Sequence, residues 1–234
     1  MADDIIVVKD IVKEYIMGEV KVMAAKGMSF QVGEGEFVVV LGPSGSGKST
    51  VLNIVGGMDR ATSGEVWVNG TNIAGVSDRG LTMYRRKSIG FVFQFYNLLP
   101  NLTALENVEL VAQVSDNPLN GKDVMKDVGL DERLHSFPAQ LSGGEQQRVA
   151  IARAISMAPS VILADEPTGS LDSVSGKNIM AIFQKLNREQ GITVVQVTHD
   201  ESMSLYGDRV FRILDGKIER IDRIIQKNAQ EVSC

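Results

Sequence analysis

The chain holds a single cysteine among 234 residues, and it is the last one, Cys234. No disulfide can close within the chain, and such usage points to the cytosol. Histidine is almost as scarce: His135 and His199 alone cannot supply metal-ligand spacing. No stretch reaches the roughly 18–20 apolar residues that cross a bilayer. The acidic Asp3-Asp4 pair before a short apolar run does not open a secretory leader. A soluble protein is expected, and any work at a membrane would need a partner. A basic excess is missing too, since the net charge is −5. The longest cationic run, Arg85-Arg86-Lys87, reads as the solvated face of a helix, so no nucleic-acid partner is expected. Internal repeats and low-complexity linkers are absent.

What is present is enough for one large α/β domain, with or without an insert, given 44% hydrophobic and 23% charged residues. Ile5 to Val12, Glu19 to Val32, Glu36 to Leu41, Glu65 to Val68 and Ile89 to Phe93 read as strands, with an Asn69-Gly70 turn after the fourth. Trp67 reads as a core side chain. Helices are expected over Lys48 to Met58, Leu102 to Val114, Lys122 to Val128, Gly143 to about Met157 and Ser173 to Gln190. Val161 to Ala164 and Ile192 to Val197 are continuous apolar runs, the pattern of parallel strands buried on both faces. A terminal hairpin turns at Asp215-Gly216, and Gln226 to Cys234 reads as a frayed polar tail. The expected division is a core of 1–94 and 159–234 with a helical insert over 95–158.

Gly42-Pro43-Ser44-Gly45-Ser46-Gly47-Lys48-Ser49 sits between a strand and a helix and matches the phosphate-loop pattern. Its glycines, and the helix start through Thr50, turn N–H groups toward phosphate oxygens. Lys48 adds a charge near the β- and γ-phosphates, and Ser49 a ligand for Mg2+. An apolar strand delivers Asp165 to the same kind of edge, where it can hold Mg2+ through water. Glu166 follows. Alternation frees it from the metal and leaves it to orient and deprotonate a water. His199 and Gln94 also follow strands; they can reach a γ-phosphate, Mg2+ or the water. Tyr15 could face an adenine. Leu141-Ser142-Gly143-Gly144-Glu145-Gln146-Gln147-Arg148 opens a second helix with Ser142 as cap and Glu145 three residues on, a capping box and a second anion site.

Together these residues resemble the ATP-binding subunits of ABC transporters, from about residue 5 to 221. The resemblance makes Gly42 to Ser49 a Walker A, Val161 to Glu166 a Walker B, Leu141 to Gln146 the signature, Gln94 the Q-loop, Ser170-Leu171-Asp172 the D-loop, His199 the switch histidine and Tyr15 the adenine-stacking aromatic. It implies a phosphate-loop NTPase core with a mixed sheet, an antiparallel β subdomain and an inserted α-helical subdomain. It further implies a head-to-tail homodimer with two ATP molecules, each between Walker A of one chain and the signature and Asp172 side of the other. Phe93 to Pro100, Leu105 to Val108 and Asp165 to Asp172 are similar to the macrolide-export and lipoprotein-release branch. Partners there are permeases with few spans and a large extracytoplasmic part, which places the chain on the inner face of the cell membrane. Glu106 to Leu141 is several residues shorter than that branch's pattern. A cell-division or cell-wall regulator, and a soluble ABC protein, share the motifs.

Overall fold

The structure is a computed structural model that describes residues 4–229; Asp3 and Cys234 lie outside them. In chain order the first half contains β1 (Asp4–Met17), β2 (Val20–Gly33), β3 (Phe37–Leu41), α1 (Lys48–Val55), β4 (Ser63–Val68), β5 (Thr71–Asn72), α2 (Asp78–Ser88), β6 (Ile89–Phe93) and α3 (Ala104–Ala112). The second half adds α4 (Gly121–Asp127), α5 (Gly143–Ile155), β7 (Val161–Asp165), α6 (Ser173–Gln190), β8 (Thr193–Thr198), β9 (Arg209–Leu214) and β10 (Lys217–Arg223). Two sheets form, in the orders β2-β1-β4-β5 and β10-β9-β3-β8-β7-β6. The first is antiparallel. In the second, β9, β3, β8, β7 and β6 run parallel and β10 turns back.

Alternation along the buried strands divides the core. Val38, Val40, Leu163, Val195 and Val197 pack with Val51, Leu52 and Val55 of α1 and with Ile6 and Val66 of the antiparallel sheet. Val39, Leu41, Ile162, Ala164 and Val194 face Val108, Val149, Ile151, Ile179 and Phe183 of α3, α5 and α6. Every residue of β3 and β8 is buried; β3 is a continuous apolar run, but β8 also buries Thr193, Gln196 and Thr198, so the expected run from Ile192 to Val197 is not purely apolar. Phe183 meets Phe37 edge-on at 6.4 Å between centroids. Removing it would cost about 3–5 kcal/mol.

Three expectations need correction. Trp67 is only half-buried, on the outer side of β4, and its indole N–H donates to Glu65 Oε2 at 3.0 Å. Alternation gives the inner face to Val66 and Val68 instead. Arg85 is not a solvated charge: it donates to the Gly57 carbonyl at 2.6 Å, while Arg86 and Lys87 are exposed. The segment after β10 does not fray at Gln226. Lys227 N–H donates to the Leu205 carbonyl, and Ala229 N–H to Gln184 Oε1 at 2.9 Å, so α6 holds it. Residues 230–234 of that expected tail are outside the described ones. Among the described residues, no helix is long and apolar enough to cross a membrane.

Candidate active site

Four parallel neighbours, β3, β8, β7 and β6, end together; β8, β7 and β6 hand their next residues to one cleft, and β3 leads into the phosphate loop beside it. Leu41 pairs with Thr198, and Asp165 with Phe93, so Gly42, His199, Glu166 and Gln94 follow edges already in register. Ligands collect at such carboxyl ends. The cleft has a volume of about 520 Å³; Lys48, Gln94, Asp165, Glu166 and His199 line it with Ser44, Gly45, Ser49, Phe93, Phe95 and Asn97.

The phosphate loop is shaped by its contacts with neighbouring backbone. Gly47 has φ 102°, and a Cβ there would lie 2.2 Å from the Ala24 carbonyl oxygen. α1 begins at Lys48 with no side-chain cap, which leaves its first N–H groups for an anion. Lys48 is buried, and its ammonium donates to the Gly42 and Pro43 carbonyls at 2.8 and 2.9 Å. Burial pulls its pKa below the ordinary value; the nearby Glu166 and Asp165 charges offset part of that. A phosphate would restore the partner that burial denies it. Ser46 is buried, with its N–H on the Pro43 carbonyl and its hydroxyl without a partner among the described residues.

The Ser49 hydroxyl donates to Asp165 Oδ1 at 3.0 Å. Burial pushes the Asp165 carboxyl up; the Ser49 bond opposes this and the Glu166 charge adds to it. A cation between the two would relieve that strain. Both are hard oxygen donors. That suits an ion such as Mg2+, which keeps most of its shell as water and phosphate oxygens.

Glu166 owes its direction to its backbone, not to strand alternation. It stands in the left-handed region at φ 51°, with its N–H donating to the Val197 carbonyl at 2.9 Å. A non-glycine residue there is strained by about 1–3 kcal/mol. The turn lays the carboxylate against His199, whose Nδ1 is 2.8 and 2.7 Å from its two oxygens. Nδ1 can donate to the carboxylate and leave Nε2 toward the cleft. This pairing joins residues 33 apart, and no spacing rule announces it.

Not every expected residue reaches the cleft. Ser142 caps α5 as read: its Oγ accepts from Glu145 N–H at 3.3 Å, and Glu145 Oε2 accepts from Ser142 N–H at 2.8 Å. Glu145 is further tied to Arg133. A Cβ on Gly143 would come 2.7 Å from the Tyr96 hydroxyl, and one on Gly144 3.0 Å from Ser175 Oγ. Asp172 caps α6 through Val174 and Ser175 N–H. None of these four signature residues, nor Asp172 or Tyr15, lines the cleft. Gly42 and Pro43 line a neighbouring hollow with His199 and Arg212. Thr50 stands in the first turn of α1, and its side chain faces the phenol of Tyr15. Phe93, Phe95 and Asn97, part of the Phe93 to Pro100 run that marks the branch, also form walls of the cleft, a place that no local chemistry announces beyond their standing beside Gln94. The sequence reading missed Gln147 and Arg153 of α5, which donate to the carbonyls of Phe93, and of Tyr96 and Asn97, around Gln94.

The chain is similar to known proteins over most of its length. Residues 25–169 match the family described as "ABC transporter". An uncharacterized ABC transporter ATP-binding protein of Thermotoga maritima is 52% identical over 92% of this chain and 93% of its own. The lipoprotein-releasing system ATP-binding protein LolD of Geobacter metallireducens is 45% identical over 90% of this chain and 96% of its own. The macrolide export ATP-binding/permease protein MacB of Syntrophobacter fumaroxidans is 44% identical over 92% of this chain, which spans 31% of MacB. The dimeric post-hydrolysis structure of the ATP-binding cassette MJ0796, with ADP and Pi, superimposes with a TM-score of 0.87, at 44% identity, over 95% of this chain and 100% of its own. MJ0796 comes from Methanocaldococcus jannaschii. The chain belongs to the ABC transporter family, as one of its ATP-binding, ATP-hydrolysing subunits.

Proposed function

We propose that this chain hydrolyses ATP at two composite sites of a head-to-tail homodimer and drives a membrane permease of the macrolide-export and lipoprotein-release kind. The reading rests above all on the Glu166–His199 pair facing Lys48 across the cleft. Gly42 to Thr50 takes the phosphates, and Tyr15 the adenine. Ser49, Asp165 and Gln94 would hold Mg2+, which would supply charge neutralisation for the phosphates. Glu166 takes a proton from water as its oxygen bonds to the γ-phosphorus, while the bond to the ADP oxygen breaks. His199 keeps the carboxylate aimed, and Lys48 stabilises the charge that develops. Ser142 to Glu145 and Asp172, remote from the cleft of their own chain, serve the nucleotide of the partner. MJ0796, dimeric with ADP and Pi, supports that arrangement.

The permease would be few-span with a large extracytoplasmic part, and would hold the chain at the inner face of the cell membrane. A groove of about 260 Å³ supports a docked partner: Ile89, Phe91, Phe93, Val111 and Met157 give an apolar floor beside Arg85, Arg86 and Arg153. Phe91 and Phe93 stack 5.5 Å apart, and Phe93 is also a wall of the nucleotide cleft, so a segment seated there touches the site. The helices over 95–158 would move as the unit between permease and nucleotide.

The test is Glu166→Gln. ATP binding should persist, turnover should fall at least about 100-fold, and a nucleotide-bound dimer should accumulate in gel filtration. Turnover near that of the unaltered chain would remove Glu166 as the base.

A further inference from the structure

Tyr15 is unusually well held for a side chain that remains 36% exposed. Its hydroxyl donates to Asp59 Oδ2 at 2.7 Å. The other oxygen of the same carboxylate, Oδ1, receives the Lys13 ammonium at 2.6 Å. That ammonium also donates to the Arg60 carbonyl at 2.8 Å and lies 4.7 Å from the centroid of the Tyr15 ring. One face of the ring is therefore taken by a cation, and one face is left for a flat partner. The Lys13 side chain is only 12% exposed, so the pair is no solvated surface bridge. Burial and the Asp59 bond push the phenol above its ordinary pKa, which keeps the hydroxyl a donor. Burial pushes the Asp59 carboxyl up, yet the bonds from Lys13 and Tyr15 outweigh it and hold it below its ordinary value.

The clamp is joined to the phosphate loop by a short path. α1 starts at the loop and stops at Val55; the chain then doubles back, so that Met58 and Asp59 N–H both donate to the Asn53 carbonyl. Asp59 thus hangs beside the helix whose first turn carries Lys48, Ser49 and Thr50, and the Thr50 side chain faces the same phenol. A ring anchored this way sits at a set place from the phosphates before any nucleotide arrives, which removes the cost of ordering it on binding.

We propose that Lys13 and Asp59 are positioning residues for the base of the nucleotide, holding Tyr15 as a one-sided stacking platform beside the phosphate-loop helix. The inference rests on the reading of Tyr15 as the adenine-facing residue. The test uses the full chain, with ATPase kinetics on ATP and competition by inorganic tripolyphosphate, which has the phosphates and no base. Lys13→Met and Asp59→Asn should each raise KM for ATP about five- to tenfold, with kcat within about twofold. Inhibition by tripolyphosphate should stay within about twofold in both, because the loop itself is untouched. Equal loss of ATP and tripolyphosphate affinity, or a fall of kcat in step, would make the pair merely structural and overturn the proposal. If Tyr15→Ala raises KM while Lys13→Met and Asp59→Asn do not, the clamp fails and the platform stands. If Tyr15→Ala leaves KM unchanged, the platform itself fails, and the proposal with it.

Discussion

Two helix starts in this chain can face an anion, and they are built in opposite ways. α1 begins with no side-chain cap, behind a loop whose Gly47 is pressed against the Ala24 carbonyl. α5 begins with a complete capping box, Ser142 and Glu145 satisfying each other, and with Ser142 exposed. The first start is left with free N–H groups and shares its cleft with Lys48, Asp165, Glu166 and His199. The second is stable without a ligand, and none of its residues reaches that cleft. The glycines differ accordingly. Gly42 and Gly47 of the loop avoid rigid backbone, whereas Gly143 and Gly144 meet mainly the side chains of Tyr96 and Ser175. A start that needs phosphate to complete it and one that is merely open to phosphate are what a site shared between two chains requires.

The largest effect should come from separating the two starts. Lys48→Ala and Ser142→Arg should each cut turnover at least about 100-fold alone. Mixed in equal amounts they should recover up to about a quarter of the unaltered rate, since half the dimers keep one composite site out of two. If Ser142→Arg alone kept its turnover, the phosphate loop would be self-sufficient and the contrast would collapse. Next comes the glycine difference. Gly47→Ala must place a Cβ against backbone at a φ suited to glycine, and should cost at least about 3 kcal/mol and abolish nucleotide binding. Gly144→Ala should stay within about 1 kcal/mol, because the Ser175 hydroxyl can turn aside, its Cβ at 3.1 Å need give only by a few tenths of an ångström, and alanine favours the helix. Thermal unfolding would show a shift of several degrees or more for the first and about 2–4 °C at most for the second. A drop in ATPase activity for Gly144→Ala, with nucleotide still bound by the single chain, would then report the interface. Equal unfolding shifts would erase the distinction.

The smallest effect is a pH dependence at the capped start. The Ser142 N–H, opposed by partial burial and aided by the Ser142 hydroxyl and Arg133, holds the Glu145 carboxyl below its ordinary value of 4.5. A carboxyl lowered on folding stabilises the fold fully above that ordinary value, and the contribution is lost as pH falls through the folded one. Thermal unfolding of Glu145→Gln should therefore lie slightly under that of the unaltered chain at neutral pH and converge on it as pH falls from the ordinary carboxyl value through the lower folded one. A constant gap at every pH would mean that the carboxylate is not part of the cap.

Much of this was readable because local chemistry announced it. β3 and β7 up to Ala164 are unbroken apolar runs, α6 starts at its Asp172 cap and ends at Gly191 in the left-handed region, and the box at Ser142 forms as spaced. What was not readable depends on residues distant in the chain. α2 is highly polar and buries only Leu81, so its extent carried no apolar period. The fate of residues 224–229 hinges on Gln184, 45 positions before Ala229. Nothing around Lys13 or Asp59 marks them as partners, because the pair spans 46 positions.

By itself the sequence determined the chemistry: a phosphate loop, two carboxylates at a strand end, a histidine, a glutamine and a capped glycine-rich helix, each defined by residues within a few positions of one another. Only the tertiary structure decided how these parts meet. Parallel register brought the ends of β6, β7 and β8 to one cleft beside the phosphate loop, a left-handed Glu166 turned its carboxylate onto His199, and the doubled-back chain after α1 set Asp59 against Tyr15. Spacing along a chain governs caps, turns and loops, because those hydrogen bonds close within a few residues. The direction of a side chain across a sheet edge depends on which strands lie beside it and on the backbone strain that their packing can hold.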